Sequence, residues 1–423
     1  MAKIIIIGGG WAGCAAAVAA KKLGVQVLLL ERTDLLLGLG NVGGIMRNNG
    51  RFTAAEENIA MGAGELFEIT DSLATHVNVD FPGHQHASFY DTNRIEPEVR
   101  QLLVEMGVEV RLKCRIVDVE KTDHSMTGLL SADGEYFWAD AFVDCTGTTG
   151  PMGNCYQYGN GCSMCILRCP AFGPRVSISA KAGGCDYYGY RDDGTPGAFS
   201  GSCKLRKDSL SKELRNQLDI WGKVIVPLPK HLINKGKLNQ KVCRQYALPQ
   251  FAENLVLLDT GEAKLMTPYL PLEDLRTIEG FEHAIYQDPY AGGRGNSIRY
   301  MAITQRNHWM SVIGVENLFC GGEKAGPYIG HTEAITTGTL AGFNAASYAS
   351  GKPLLNLVEM PGKTKTAIGE FLSYEKDDRG MITFAGDAFF DHMKKKKLYT
   401  TDVEEIRRRI DQAGLLERYN AFL

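Results

Sequence analysis

Two groups of residues in this sequence have types and spacings suited to chemistry. The first is Gly8, Gly10 and Gly13 in the run GGGWAG, with Glu31 eighteen residues beyond Gly13. Glycine at the first position permits a tight turn, at the second lets the backbone approach a pyrophosphate, and at the third lets a helix pack closely on a strand. A helix starting there offers unpaired N–H groups and the positive end of its dipole to phosphate oxygens. Glu31 is spaced to accept both hydroxyls of an adenosine ribose. The implied chemistry is dinucleotide binding; the plain alternative is a Gly-rich turn in an α/β domain without a ligand.

The second group is Cys155, Cys162, Cys165 and Cys169, in NCYQYGNGCSMCILRCP. The last three read C-x2-C-x3-C followed by Pro170, close to the end of a ferredoxin-type run, with Cys155 upstream as fourth thiolate. A 4Fe-4S cluster is the favoured reading. Four thiolates also suit tetrahedral zinc, Cys162 and Cys165 alone make a redox dithiol, and four unlinked loop cysteines are the alternative without chemistry. Cys185, Cys203 or Cys243 could each replace Cys155.

The elements that must hold the glycines are legible around them. Lys3–Ile7 is a β-branched run suited to a strand buried on both faces. Residues 12–23 read as an Ala-rich helix ended by Gly24, and 25–30 as a second apolar strand closed by Glu31. Residues 107–119 read as a strand pair, Asp133-Gly134 as a hairpin turn, and 141–147 as a strand running into Thr146-Gly147. Much later, 317–323 (NLFCGGE) repeats strand, glycines and acid, and 330–346 is a helix of small residues that can begin close to a bulky ligand. Three distant pieces converging on one nucleotide is the layout of large FAD proteins, so FAD is expected rather than NAD. Gly147, Gly322, Glu323 and Gly330 join Gly8, Gly10, Gly13 and Glu31 as expected cofactor contacts.

With those motifs in view, the chain resembles the glutathione-reductase-type FAD superfamily. Within it, the chain is similar to the tRNA-modifying flavoproteins related to glucose-inhibited division protein A, and most of all to the folate- and FAD-dependent tRNA uracil-5-methyltransferases. The resemblance rests on GHTEAITTGTLAGFNAA at 330–346, TAIGEFLSY at 366–374 and RYMAITQRN at 299–307. It implies catalytic roles for Arg299, Arg306 and Asn307 beside the flavin, and tetrahydrofolate or NAD(P)H as co-substrate. The chain departs from that family at 38–50, which holds no cysteine, and at Gln305, where the family carries His.

Length and composition frame these sites. A chain of 423 residues exceeds one ordinary core. At 44% apolar and 22% charged it is not disordered, collagenous or coiled-coil overall. No apolar run reaches the ~18 residues of a membrane span, and the start MAKIIII lacks the order of a signal peptide; a cytoplasmic location without membrane contact is expected. Eleven cysteines in such a setting argue against a disulfide framework. The net charge of −3 hides a basic stretch: between Lys204 and Arg244, eleven Lys or Arg face three acids, a net of +8. It would suit an anionic partner, whether folate polyglutamate, phosphate-bearing small molecule or RNA.

The expected fold is α/β. A glutathione-reductase-type FAD-binding Rossmann domain occupies 1–150 and 314–350, an inserted substrate domain with the Cys-rich loop occupies 151–313, and a small helical C-terminal domain occupies 351–423. The expected function is an FAD-dependent oxidoreductase whose iron-sulfur cluster exchanges electrons with the flavin. The alternatives are a methylenetetrahydrofolate- and FAD-dependent RNA uracil-5-methyltransferase and a non-enzymatic, RNA-binding redox sensor. Oligomeric state is not encoded in any of these signals.

Overall fold

The structure is a computed structural model that describes residues 1–148, 172–187, 198–199, 203–240, 244–268, 270–287, 298–299, 303–359, 364–374 and 382–420. Its centre is a five-stranded, wholly parallel sheet. Strand β1 (Lys3–Ile7) lies in the middle, flanked by β2 (Gln26–Leu30) and by Ala141–Asp144, with Glu109–Arg111 and Leu318–Cys320 at the edges. The four isoleucines of β1 are buried, as a strand covered on both faces requires. Ile7 aligns with Leu30 on one side and Asp144 on the other. This register puts Gly8, Glu31 and Cys145 together at the carboxyl edge of the sheet, where ligands of doubly wound folds bind.

Helix α1 (Trp11–Lys22) connects β1 to β2, and the helix His331–Ala349 packs along it. A Cβ added to Gly338 would sit 2.1 Å from the carbonyl oxygen of Ala12, and one on Gly342 would sit 2.2 Å from that of Ala16. The small residues of this helix thus serve mainly backbone contact with α1, whereas the sequence suggested access for a ligand.

Residues 107–119 do not form one strand pair. Glu109–Arg111 joins the parallel sheet beside β2, while Ile116–Thr122 pairs antiparallel with Ser125–Ser131, which in turn pairs with Tyr136–Trp138 around a turn holding Gly134 at φ +86°. The split falls at Lys113, whose φ of +58° turns the chain from one sheet to the other.

The middle of the chain supplies an antiparallel sheet ordered Cys203–Leu205, Ala263–Leu265, Asn254–Asp259 and Lys223–Pro227. The amphipathic helix Lys212–Trp221 buries Leu214 and Leu218 in a core shared with Leu257, Leu265 and Phe281. A further core joins Ile45, Val79, Phe81 and Phe89 to Tyr246, Phe251, Leu258 and Met266, so strands from the first hundred residues pack on residues 246–266.

At the C-terminal end, helices span Ala367–Ser373, Asp387–Lys395 and Val403–Gln412. The last of these stops at Gln412, and Gly414 takes φ +70° just beyond it; only a short turn, Arg418–Asn420, follows. The buried Glu57 carboxylate ties this end to the body: it accepts N–H groups of Ala367 and Ile368 at 2.9 Å each and pairs with Arg409 at 3.2 Å. Among the described residues no helix is long and apolar enough to cross a membrane.

Candidate functional site

An elongated cavity opens along the carboxyl edge of the parallel sheet. At one end stand Glu31, Thr33, Ile116, Thr146, Gly147 and Arg175; at the middle Gly8, Gly10 and Trp11; at the other end Ile45, Arg51, Gln245, Tyr246, Lys264 and His331.

The glycine turn divides its work among three positions. Gly8 has φ +100°, and a Cβ on it would lie 2.4 Å from the carbonyl oxygen of Cys145. A Cβ on Gly13 would lie 1.8 Å from the carbonyl oxygen of Gly8, so Gly13 lets α1 rest against the end of β1. Gly10 differs: a Cβ there would meet nothing within 4 Å. It borders the open cavity as the N-cap of α1, and no side chain caps that helix. The first-turn N–H groups, which have no intrahelical acceptor, are left for an anion. This is the cradle a pyrophosphate needs.

Glu31 is held ready. Its Oε2 accepts the Gly9 N–H at 2.7 Å, and Oε1 accepts both the N–H and the hydroxyl of Thr33 at 2.9 Å. Arg32, Arg115 and Arg175 line the same end, with Arg32 donating to the carbonyl of Gly173. The other expected contacts, Gly147, Gly322, Glu323 and Gly330, also line the cavity, while Gly13 supports it from behind. Gly147 and Gly322 adopt φ of +75° and +70°. Glu323 accepts the Thr148 hydroxyl at 3.0 Å. Gly330, at φ +140°, leaves no room for a side chain, since a Cβ would lie 1.9 Å from Glu333 Oε2.

The opposite end was largely invisible in the sequence. Arg51 and Glu333 form a buried pair: Arg51 Nε lies 3.0 Å from both carboxylate oxygens, Nη1 donates to Asn48 Oδ1 at 3.0 Å, and Nη2 donates to the Ile329 carbonyl at 3.0 Å. Glu333 also accepts from the Thr383 hydroxyl at 2.7 Å and the Phe384 N–H at 2.9 Å, so neither charge is stranded. Lys264, 2% exposed, donates to the carbonyls of Val42, at 3.1 Å, and Gly43. Tyr90 donates its hydroxyl hydrogen to the Gly40 carbonyl at 2.6 Å, so its oxygen accepts from His331 Nδ1 at 3.1 Å. A neutral His331 then carries its hydrogen on Nδ1 and an acceptor lone pair on Nε2. The Trp11 ring closes this group, 5.8 Å from Tyr90 and 6.1 Å from His331 between ring centres.

Behind the cavity, burial pushes His84 down to about 3, so it is neutral; Nε2–H donates to the Gln245 carbonyl at 3.1 Å while Nδ1 accepts from Asn48 at 2.9 Å. The cysteines near the turn are inert by the same physics. Burial raises the thiols of Cys14 and Cys145 and pushes Cys320 up to about 12.

Of the three expected catalytic residues, Arg306 and Asn307 do not line the cavity. Arg306 directs its guanidinium to the carbonyls of Ala325 at 3.1 Å, Asn307 at 3.1 Å and Leu372 at 3.3 Å, and stacks on Tyr328. Asn307 Oδ1 accepts N–H groups of Trp309 and Ser311, bracing a turn. Arg299 is described only as backbone, in the strand Ile298–Arg299 paired with Ala198–Phe199. Cys155, Cys162, Cys165 and Cys169 lie outside the described residues, as does Cys243; Cys203 is buried in a core and Cys185 is exposed. Among the described residues no group of His, Cys, Asp and Glu is arranged to hold a metal ion.

The basic stretch is less available than its charge suggests. Lys204 turns inward to the Asn41 carbonyl at 3.0 Å, Lys207 bridges Asp219 at 2.6 Å and Asp259 at 2.8 Å, and Arg206 and Lys235 pair with Asp208 at 2.5 Å and Glu253 at 2.7 Å. Lys223 donates to the Asp80 carbonyl. Lys241 lies outside the described residues.

Comparison with known proteins adds the following. The family model described as glucose inhibited division protein A matches residues 3–247 and 257–353. A tRNA uridine 5-carboxymethylaminomethyl modification enzyme MnmG from Alkaliphilus metalliredigens is 23% identical over 407 residues, which cover 82% of this chain and 62% of that protein. The enzyme of the same name from Clostridium botulinum (strain Hall) is 25% identical over 154 residues, 34% of this chain and 24% of that protein. The chain thus spans less than two thirds of the length of these relatives. Among solved structures, Aquifex aeolicus GidA matches with a TM-score of 0.66 at 15% identity, over 99% of this chain and 73% of that one. A second crystal form gives 0.64 at 16% identity, over 100% of this chain and 78% of that one. The chain thus shares the α/β fold of these GidA structures.

Proposed function

Since this chain belongs to the glucose-inhibited division protein A family, we propose that it is an FAD-dependent enzyme performing a redox step in the modification of a uridine in tRNA. The observation that carries the reading is the cavity itself, above all Gly10, where a side chain would enter empty space at an uncapped helix N-terminus. The substrate class comes from the MnmG relatives.

Glu31 would hold the adenosine ribose hydroxyls, and the first turn of α1 the pyrophosphate. FAD, when bound, supplies hydride and electron transfer. The far end would orient the ring: the Arg51–Glu333 pair fixes the start of the helix His331–Ala349, and the Tyr90 hydroxyl holds His331 through Nδ1. Lys264 brings positive charge to this end, which suits an electron-rich ring or an anionic substrate. The Rossmann unit formed by 1–150 and 314–350 would carry the nucleotide, with 151–313 meeting the substrate.

Two finer readings stand beside this one. The C-x2-C-x3-C-P run supports an iron-sulfur cluster exchanging electrons with the flavin. The TAIGEFLSY segment supports tetrahydrofolate as one-carbon donor. Absorption spectra of anaerobically purified protein, with acid-labile sulfide assayed in parent and Cys165→Ala, test the cofactors together. Stoichiometric flavin bands with tRNA binding that weakens as salt rises would uphold the proposal. A protein that neither retains nor takes up FAD would overturn it; flavin without sulfide would remove only the cluster.

A further inference from the structure

Gln245 is 6% exposed and lines the cavity, yet neither Nε2 nor Oε1 of its side chain has a hydrogen-bond partner among the described residues. The rest of the residue is firmly held. Its carbonyl accepts the His84 ring N–H at 3.1 Å, and Gly386 packs so closely that a Cβ on that glycine would lie 2.3 Å from Gln245 Cβ. Buried polar side-chain atoms in folded proteins are nearly always paired. A buried carboxamide with both atoms unsatisfied, on the wall of a ligand cavity, has the character of a group whose partner is the ligand. Its acceptor and donor lie side by side in one plane, and the edge that answers both is an imide, an N–H flanked by C=O. Gln245 stands with Tyr246 and Lys264, at the end away from Glu31, where the planar ring of a bound dinucleotide would reach.

We propose that Gln245 reads the imide edge of a pyrimidine-type ring seated at this end of the cavity. Two rings carry that edge, the isoalloxazine of FAD and a uracil base, and the inference rests on the reading of the cavity as an FAD site. The test uses full-length apoprotein, parent and Gln245→Met, titrated with FAD and with FAD methylated at N3. The FAD-loaded proteins are then titrated with uridine and 3-methyluridine, followed by flavin fluorescence. The parent should favour the unmethylated member of one pair by roughly tenfold, the worth of one or two neutral hydrogen bonds, and Gln245→Met should lose that preference while still taking up FAD. A preference within the FAD pair assigns Gln245 to the cofactor, and one within the uridine pair assigns it to the substrate. Gln245→Leu, which removes both the acceptor and the donor, serves if the methionine variant does not fold. A parent without preference in either pair, or variants that keep it, overturns the proposal. A parent that binds no FAD removes the reading of the site itself, and the first titration alone reveals it.

Discussion

Alanine at Gly10 and alanine at Gly13 should have opposite consequences, although the two stand only three positions apart in one fingerprint. Gly10 has φ −69°, which alanine adopts freely, and its added Cβ would meet nothing within 4 Å. The folded apoprotein should therefore hold its stability within about 0.5 kcal/mol. The methyl group would instead occupy the space of the pyrophosphate. Displacing it from the α1 N-terminus forfeits one charge-assisted hydrogen bond or more, each worth roughly 1.5–3 kcal/mol, or about tenfold to a hundredfold in FAD affinity. Gly13→Ala places a Cβ 1.8 Å from the Gly8 carbonyl oxygen, a backbone atom that cannot swing aside. Helix α1 must then retreat from β1, at a cost of about 1–3 kcal/mol. Flavin titration of apoprotein and calorimetric unfolding without cofactor separate the two effects. If Gly10→Ala binds FAD like the parent, or loses stability without it, the division of labour among these glycines is wrong.

Three further perturbations probe the surroundings. Arg51→Met strands the Glu333 carboxylate, which is fully buried, and should cost about 3–5 kcal/mol by denaturant midpoint; the double change with Glu333→Leu should recover much of that, and an equal loss in single and double variants would refute the pairing argument. Gly342→Val pushes a side chain toward the Ala16 carbonyl oxygen, 2.2 Å from its Cβ, and should lower the melting temperature by several degrees, whereas an unchanged melting temperature would deny the close helix contact. His84, pushed down to about 3 by burial, takes up its proton only on unfolding, because an unfolded histidine titrates near ~6.5. Its contribution is complete above that pH and is lost as pH falls toward 3, at up to about 1.4 kcal/mol per unit. His84→Asn should remove this part of the acid dependence, and identical slopes in parent and variant would contradict a buried neutral ring.

Much of the nucleotide half was legible because its signals are local. The β-branched run of β1, the glycines after it, the Ala-rich helix and Glu31 lie within the first 31 residues, each constrained by neighbours a few positions away. The small-residue helix His331–Ala349 was equally clear as a helix, yet its purpose was not. That Gly338 and Gly342 face α1 depends on where another helix lies, which composition does not encode. The sign of the charge between Lys204 and Arg244 could be read, but not its destination: Lys204 and Lys207 face inward to partners from other segments.

The far end of the cavity belongs wholly to tertiary structure. Ile45, Gln245, Lys264 and His331 come from four separate segments and share no spacing or motif. They meet because strands from 45–90 pack on 246–266 in a common core, and because Gly43 admits the His331 ring against its backbone. Arg306 makes the converse point. A resemblance over nine residues placed it beside a flavin, but a guanidinium is held by whichever carbonyls the fold brings within reach, and here those belong to Ala325, Asn307 and Leu372. The amino-acid sequence by itself determined the dinucleotide turn, since backbone conformation there depends on adjacent residues. Only the packed chain decided what faces the ring end, since those contacts arise from long-range burial.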